Sequence, residues 1–207
     1  MPKAEPRLYL VTPALADTAA FVPMLRDALA QGGVASLLLR LEAVNEAQAK
    51  RIIGEIAPLA QDRGVAVVID GAPQLVAQTG LDGAQVCGAG KELTAAIKML
   101  SPDYIVGAGG LQTRHDAMVA GEAGADYLLF GDDSDASPAA FAALQERVGW
   151  WSQLFTTPCV ALARGCAEIA VLTRAGADFL MLGDYVWSSA AGAAPAVAEA
   201  QRIIAEC

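Results

Sequence analysis

The 207-residue chain is 55% hydrophobic, which favours one compact domain with a large core over two small ones and excludes a disordered chain. Its 14 basic residues against 23 acidic give a formal charge of −9 with no clustered Lys or Arg stripe, so nucleic acid is excluded as a partner. Four cysteines without CxxC spacing read as reduced thiols of a cytoplasmic protein, the single histidine argues against zinc, and no stretch approaches the ~18 consecutive apolar residues of a membrane span.

In chain order, MPKAEPRLYLVTP carries too short an apolar run for a signal peptide, and residues 1–6 read as an N-terminal tail. Residues 7–12 are the first expected strand, followed by an amphipathic helix over 18–31. A second strand over 35–41 precedes a helix over 46–62, and a third strand covers 65–70. Further strands are expected over 83–87, 104–108, 127–131, 159–163 and 179–183, with a helix over 138–153 among the segments between them. Each strand is short and apolar throughout, as strands of a parallel sheet covered by helices must be.

Internal repetition supports that count. GADYLLFGD at 124–132 recurs as GADFLMLGD at 176–184, an offset of 52 residues or two units of about 26, with weaker echoes in LDGAQVCG and SPDYIVGAG. In each echo an acid (Asp82, Asp103, Asp126, Asp178) stands just before the strand, where it is expected to accept backbone N–H bonds, a structural role. Eight units over residues 7–207 fit a single (β/α)8 barrel, with a doubly wound open sheet as the lesser alternative.

A barrel of this type binds its substrates at the C-terminal ends of its strands. Those ends carry Thr12 and Pro13, Arg40 and Glu42, Asp70, Gln85 and Cys87, Gly109 to Gln112, Asp132 with Asp133 and Asp135, Arg164 with Gly165, and Gly183 with Asp184. Arg40, Gln85 and Gln112 are candidate substrate-binding residues, Asp70 and Asp132 candidate catalytic acids, and Arg164, Gly165 and Gly183 a candidate phosphate site. Arg40, between apolar residues, needs an anion: either a ligand or an internal salt bridge to Glu42 or Asp70. Arg164 is either a phosphate holder or a surface residue on a turn. Asp132, Asp133 and Asp135 either gather Mg²⁺ or form a solvated loop that caps the next helix through Asp135 or Ser137, with Pro138 in its first turn. His115 reads as a solvated helix residue and Cys87 as a small buried hydrophobe. Trp150 and Trp151 bury themselves either in a subunit contact, which leaves a homodimer open, or in the outer layer of the barrel.

From LYLVTP through LLLRLE, VVIDGA, LDGAQVCG and GADYLLFGD to AGADFLMLGDYVW, order and spacing resemble the thiamine phosphate synthase and TenI family. The resemblance implies a barrel that joins hydroxymethylpyrimidine diphosphate to a thiazole phosphate. In that reaction pyrophosphate leaves on Mg²⁺ and a pyrimidine cation is trapped by the thiazole nitrogen. TenI members instead aromatise the thiazole phosphate without metal. It implies a small phosphorylated pyrimidine or thiazole as ligand, and Mg²⁺ as a cofactor of the synthase branch.

Individual motifs depart from the family pattern. Of its Gln-x-Arg-x-Lys only the Arg remains, as Leu38, Arg40 and Glu42; its Asn-Asp, the second a Mg²⁺ ligand, is Asp70-Gly71. Its HLGQxD, with a second metal Asp, is read across Gln85 to Gly90, its Ser-x-His as Gly110-Leu111-Gln112, and its Thr-x-Thr-Lys loop is replaced by DDSDAS. The TenI base, a His, matches Asp132, and the Gly-Gly phosphate loop matches Ala163-Arg164-Gly165. These departures imply reduced or altered activity, thiazole tautomerase-like proton transfer, or a non-catalytic barrel that binds a phosphorylated ligand.

Overall fold

The computed structural model describes residues 5–132, 134 and 136–207. Eight strands, β1 (Arg7–Val11), β2 (Val34–Leu39), β3 (Ala66–Asp70), β4 (Gly83–Cys87), β5 (Ile105–Gly109), β6 (Tyr127–Phe130), β7 (Cys159–Leu162) and β8 (Phe179–Leu182), pair in sequence order. All pairings are parallel, and β1 joins β8 with Arg7 opposite Phe179, so the sheet closes as the (β/α)8 reading expects and the open sheet is excluded.

The outer layer is built from α1 (Phe21–Ala30), α2 (Glu46–Gln61), α3 (Val76–Thr79), α4 (Lys91–Leu100), α5 (Arg114–Glu122), α6 (Pro138–Leu154), α7 (Cys166–Ala175), α8 (Asp184–Trp187) and α9 (Ala193–Ala205). Side-chain direction alternates along each strand. Leu8 and Leu10 of β1 join the layer between sheet and helices, while Tyr9 and Val11 point into the barrel with Leu38, Val68, Leu129, Val160 and Met181. The strands are therefore apolar throughout because both of their faces are buried.

Local signals account for several boundaries. Asn45 caps α2 by accepting from Gln48 N at 2.9 Å, Thr113 and Asp116 form a reciprocal capping box on α5, and Ser137 caps α6 ahead of Pro138. The acids before the strands act as expected in three of four places. Asp82 accepts from Val67 N at 2.7 Å, Asp126 from Val106 N at 2.7 Å and Asp178 from Cys159 N at 2.8 Å, each tying the start of one strand to its predecessor. Asp103 differs: Tyr104 intervenes between it and β5, so its exposed side chain misses the register the other three share.

Two glycines set how tightly the barrel closes. A Cβ on Gly83 would stand 2.2 Å from the Ile105 carbonyl oxygen, and one on Gly107 would stand 2.1 Å from Cζ of Tyr127. Gly107 thus vacates the volume that the Tyr127 ring fills. Among the described residues no helix is long and apolar enough to cross a membrane.

Candidate functional site

Arg40, Asp70 and Gln85 owe their direction to the two-residue period of their strands. Arg40 follows β2 in phase with the inward Leu38, Asp70 ends β3 in phase with Val68, and Gln85 occupies the inward middle of β4. Thr12, itself buried, accepts from Arg40 N at 3.0 Å, so the end of β1 fixes the peptide that carries the guanidinium.

Arg40, Asp70, Gln85, Cys87 and Asp132 line one cavity of about 210 Å³ at the C-terminal mouth, with Gly109 and Gly110 of the fifth unit along its wall. Inside it Arg40 Nε approaches Asp70 Oδ2 at 3.8 Å, and Gln85 Nε2 donates to Asp70 Oδ1 at 3.4 Å. The internal ion pair open to Arg40 is therefore formed with Asp70. Burial raises the Asp70 pKa above the usual carboxylate range, and the Arg40 charge and the Gln85 hydrogen bond pull it part of the way back. Cys87 is exposed and borders this cavity, which corrects its reading as a buried hydrophobe: the last residue of β4 stands at the open mouth, where no further layer covers it.

Gln112 stands apart from that group. It lines a second cavity of about 340 Å³, together with Ser134, Arg147 and Arg164, and among the described residues Gly131 and Asp132 border both spaces. The loop after β5 carries Gln112 away from the barrel axis because Arg147 on α6 holds it from outside, donating to the Leu111 and Gln112 carbonyl oxygens at 2.7 and 3.0 Å. Arg164 donates to the Asp132 carbonyl oxygen at 2.9 Å, and its own amide donates to the Glu168 carboxylate at 2.8 Å. Gly165 and Gly183 immediately precede α7 and α8, and among the described residues neither lines these two cavities. The Asp132 carboxylate accepts from Ser134 N at 2.7 Å and from the Ser134 hydroxyl, an Asx-type turn. Asp133 and Asp135 lie outside the described residues. His115 is exposed in the first turn of α5, as its sequence context implies.

The donors at the family's metal positions do not fit Mg²⁺. Gly71, in a turn with φ +75°, stands where the first metal carboxylate belongs, and the stretch after Gln85 offers the Cys87 thiol and glycines, whereas Mg²⁺ requires oxygen ligands. Among the described residues no three His, Cys, Asp or Glu side chains are grouped to hold a metal ion.

Three residues at or beneath the site escaped the sequence reading. Arg147 had no signal beyond a helical position. Tyr9 and Tyr127, both buried, hydrogen-bond to each other at 2.9 Å under the cavity floor, and the Tyr127 hydroxyl also contacts Gln85 Oε1 at 3.1 Å. A signal for Tyr127 does exist, since the two long repeats place Tyr127 and Phe179 at equivalent positions and only one copy carries a hydroxyl.

Comparison with known proteins places this geometry in context. A family model described as thiamine monophosphate synthase matches residues 8–186. A thiamine-phosphate synthase of Rhodospirillum centenum is 39% identical over 201 residues, covering 96% of this chain and 97% of that one. One of Hyphomonas neptunium is 37% identical over 204 residues, covering 95% and 92%. Among solved structures, the thiamine phosphate pyrophosphorylase from Pyrococcus furiosus matches with a TM-score of 0.81 over 98% of this chain and 96% of that one; at 20% identity this likeness concerns the fold.

Proposed function

The chain belongs to the thiamine monophosphate synthase family, and from that membership we propose that its mouth cavity couples a hydroxymethylpyrimidine diphosphate to a thiazole phosphate, with weaker turnover than the intact family motifs would give. The observation that carries this reading is the convergence of Arg40, Asp70, Gln85 and Asp132 on one cavity at the strand ends. Among the described residues of that cavity Arg40 is the cation available to a departing diphosphate, and it shares the space with Asp70, its ion-pair partner, and Asp132. Charge developing on a leaving diphosphate needs preorganised positive groups, so this balance slows departure without preventing the substrates from meeting. The thiazole phosphate is assigned to the neighbouring cavity, where Arg147 and Arg164 are both present and Gln112 adds an amide.

The raised Asp70 pKa favours a second reading, proton transfer on the thiazole phosphate of the TenI kind, with Asp70 and Asp132 as the acids in reach. Titration with hydroxymethylpyrimidine diphosphate, thiazole phosphate and thiamine phosphate, each with and without Mg²⁺, followed by a turnover assay, separates the readings. Slow, measurable thiamine phosphate formation supports the first. Thiazole isomerisation without coupling supports the second, and no binding by any of the three overturns both.

The Asp70 pKa also sets a pH dependence. If the reaction uses the carboxylate, the rate falls as pH drops through the raised pKa, so the acidic limb of kcat/KM lies above the ordinary carboxylate range. If the protonated acid is needed, the rate falls as pH rises through that same region. Asp70→Asn is expected to remove the limb, and a limb that persists would assign it to another group.

A further inference from the structure

A column of hydrogen bonds runs up the barrel axis from beneath the site. Tyr9 on β1 and Tyr127 on β6 bring their hydroxyls to 2.9 Å, the Tyr127 hydroxyl lies 3.1 Å from Gln85 Oε1, and Gln85 Nε2 lies 3.4 Å from Asp70 Oδ1. A glutamine amide can be turned over without changing its shape, and nothing in Gln85 itself decides which end faces Asp70. The Tyr127 hydroxyl bears on it: it lies 3.1 Å from Gln85 Oε1 and donates there when Tyr9 donates its own proton to the Tyr127 oxygen.

We propose that Tyr127, with Tyr9 behind it, is a positioning residue that locks the Gln85 amide with its nitrogen toward Asp70, so that the acid at the cavity always meets a donor. This rests on the reading of Asp70 as a working group of the site. Burial holds both phenols well above their ordinary range, so both protons remain in place at any working pH. Gly107 leaves room for the Tyr127 ring, and Gly109, whose Cβ would lie 3.2 Å from Gln85 Nε2, leaves room for the amide, so the backbone of β5 is shaped around this column. Among the described residues, the charged and titratable groups facing Asp70 are Arg40 from the end of β2, Cys87 from β4, Tyr127 and Asp132 from β6 and its end, and Tyr9 from β1. Arg40 and the Gln85 amide favour the carboxylate, and Tyr127 acts through the amide.

Without the Tyr127 hydroxyl the amide is free to present its oxygen to Asp70, and an acceptor there favours the protonated acid. Carbon-13 NMR of the Asp70 carboxyl in the full chain reads this directly. Tyr127→Phe is expected to raise the Asp70 titration midpoint by at least about half a pH unit, and Tyr9→Phe to raise it less. Tyr127→Phe leaves one buried hydroxyl without its partner, so the double variant Tyr9→Phe, Tyr127→Phe, which removes both, supplies a better-packed control and is expected to match the single one. On a Gln85→Leu background Tyr127→Phe should add no further shift. An unchanged Asp70 midpoint in both the single and the double variant, or a full shift on the Gln85→Leu background, would overturn the proposal. Because the NMR titration needs no turnover, an inactive wild type with the expected shifts would end the functional reading and leave the lock standing. An active wild type whose Asp70 midpoint and kcat/KM limb ignore Tyr127→Phe would do the reverse.

Discussion

Trp151→Ala is expected to destabilise the fold by ~3–5 kcal/mol, the usual cost of emptying a fully buried aromatic site, which corresponds to a fall of roughly 6–20 °C in the thermal midpoint of a chain of this length. Trp151 is 1% exposed, stacks on Phe155 with ring centroids 3.9 Å apart and an interplanar angle of 9°, and meets Phe130 of β6 edge-on at 6.0 Å. Its indole N–H donates to the Thr157 carbonyl at 2.8 Å, so the deletion also leaves a backbone acceptor without its donor. A Cβ on Gly121 of α5 would stand 3.0 Å from the indole, so α5 packs closely on the same ring. The neighbouring Trp150 is only partly buried and lies under the Arg114 guanidinium at 4.9 Å; Trp150→Ala should cost much less. Calorimetry of the two variants checks the contrast. Similar losses for both would mean that the pair is buried by something other than its own chain.

That pair shows where sequence reading stops. Two adjacent tryptophans at a helix end fit a subunit contact and an outer barrel layer equally well, because one helical step of about 100° separates their directions and only the packed helices show which one faces inward. Trp151 is settled by Phe130 and Phe155; sequence carried no sign of that partnership. The barrel itself was legible, since strands buried on both faces must be apolar throughout, and the repeat around GADYLLFGD marks the unit length. The direction of Arg40, Asp70 and Gln85 followed from strand alternation. Gln112 was not reachable in this way. It lies beyond the end of β5 in a loop without period, held by an arginine 35 residues away. The Tyr9–Tyr127 pair, 118 residues apart, meets only because β1 and β6 face each other across a closed barrel, and no local pattern encodes that meeting.

Arg40→Ala is expected to lower kcat for diphosphate departure by about 10²–10³-fold, the scale set by removing one preorganised donor from developing negative charge. The guanidinium is 31% exposed at the mouth, its peptide is bracketed by Thr12, and it is the cation among the described residues of the cavity that also holds Asp70. Wild-type turnover is itself expected to be slow, so binding supplies a second readout. Affinity for the pyrimidine diphosphate should weaken by ~1.5–3 kcal/mol, about 10- to 150-fold, if Arg40 makes a charge-assisted hydrogen bond to it. Two effects then diverge in pH. Removing Arg40 takes away the charge that draws the Asp70 pKa down against burial, so the Asp70-linked acidic limb moves to still higher pH. Arg40→Lys keeps the charge but loses the planar fork, and should restore much of the limb while recovering the diphosphate affinity only in part. An Arg40→Ala variant with unchanged diphosphate affinity and an unshifted limb would place the diphosphate elsewhere. Arg40 would then serve only as the counter-ion of Asp70.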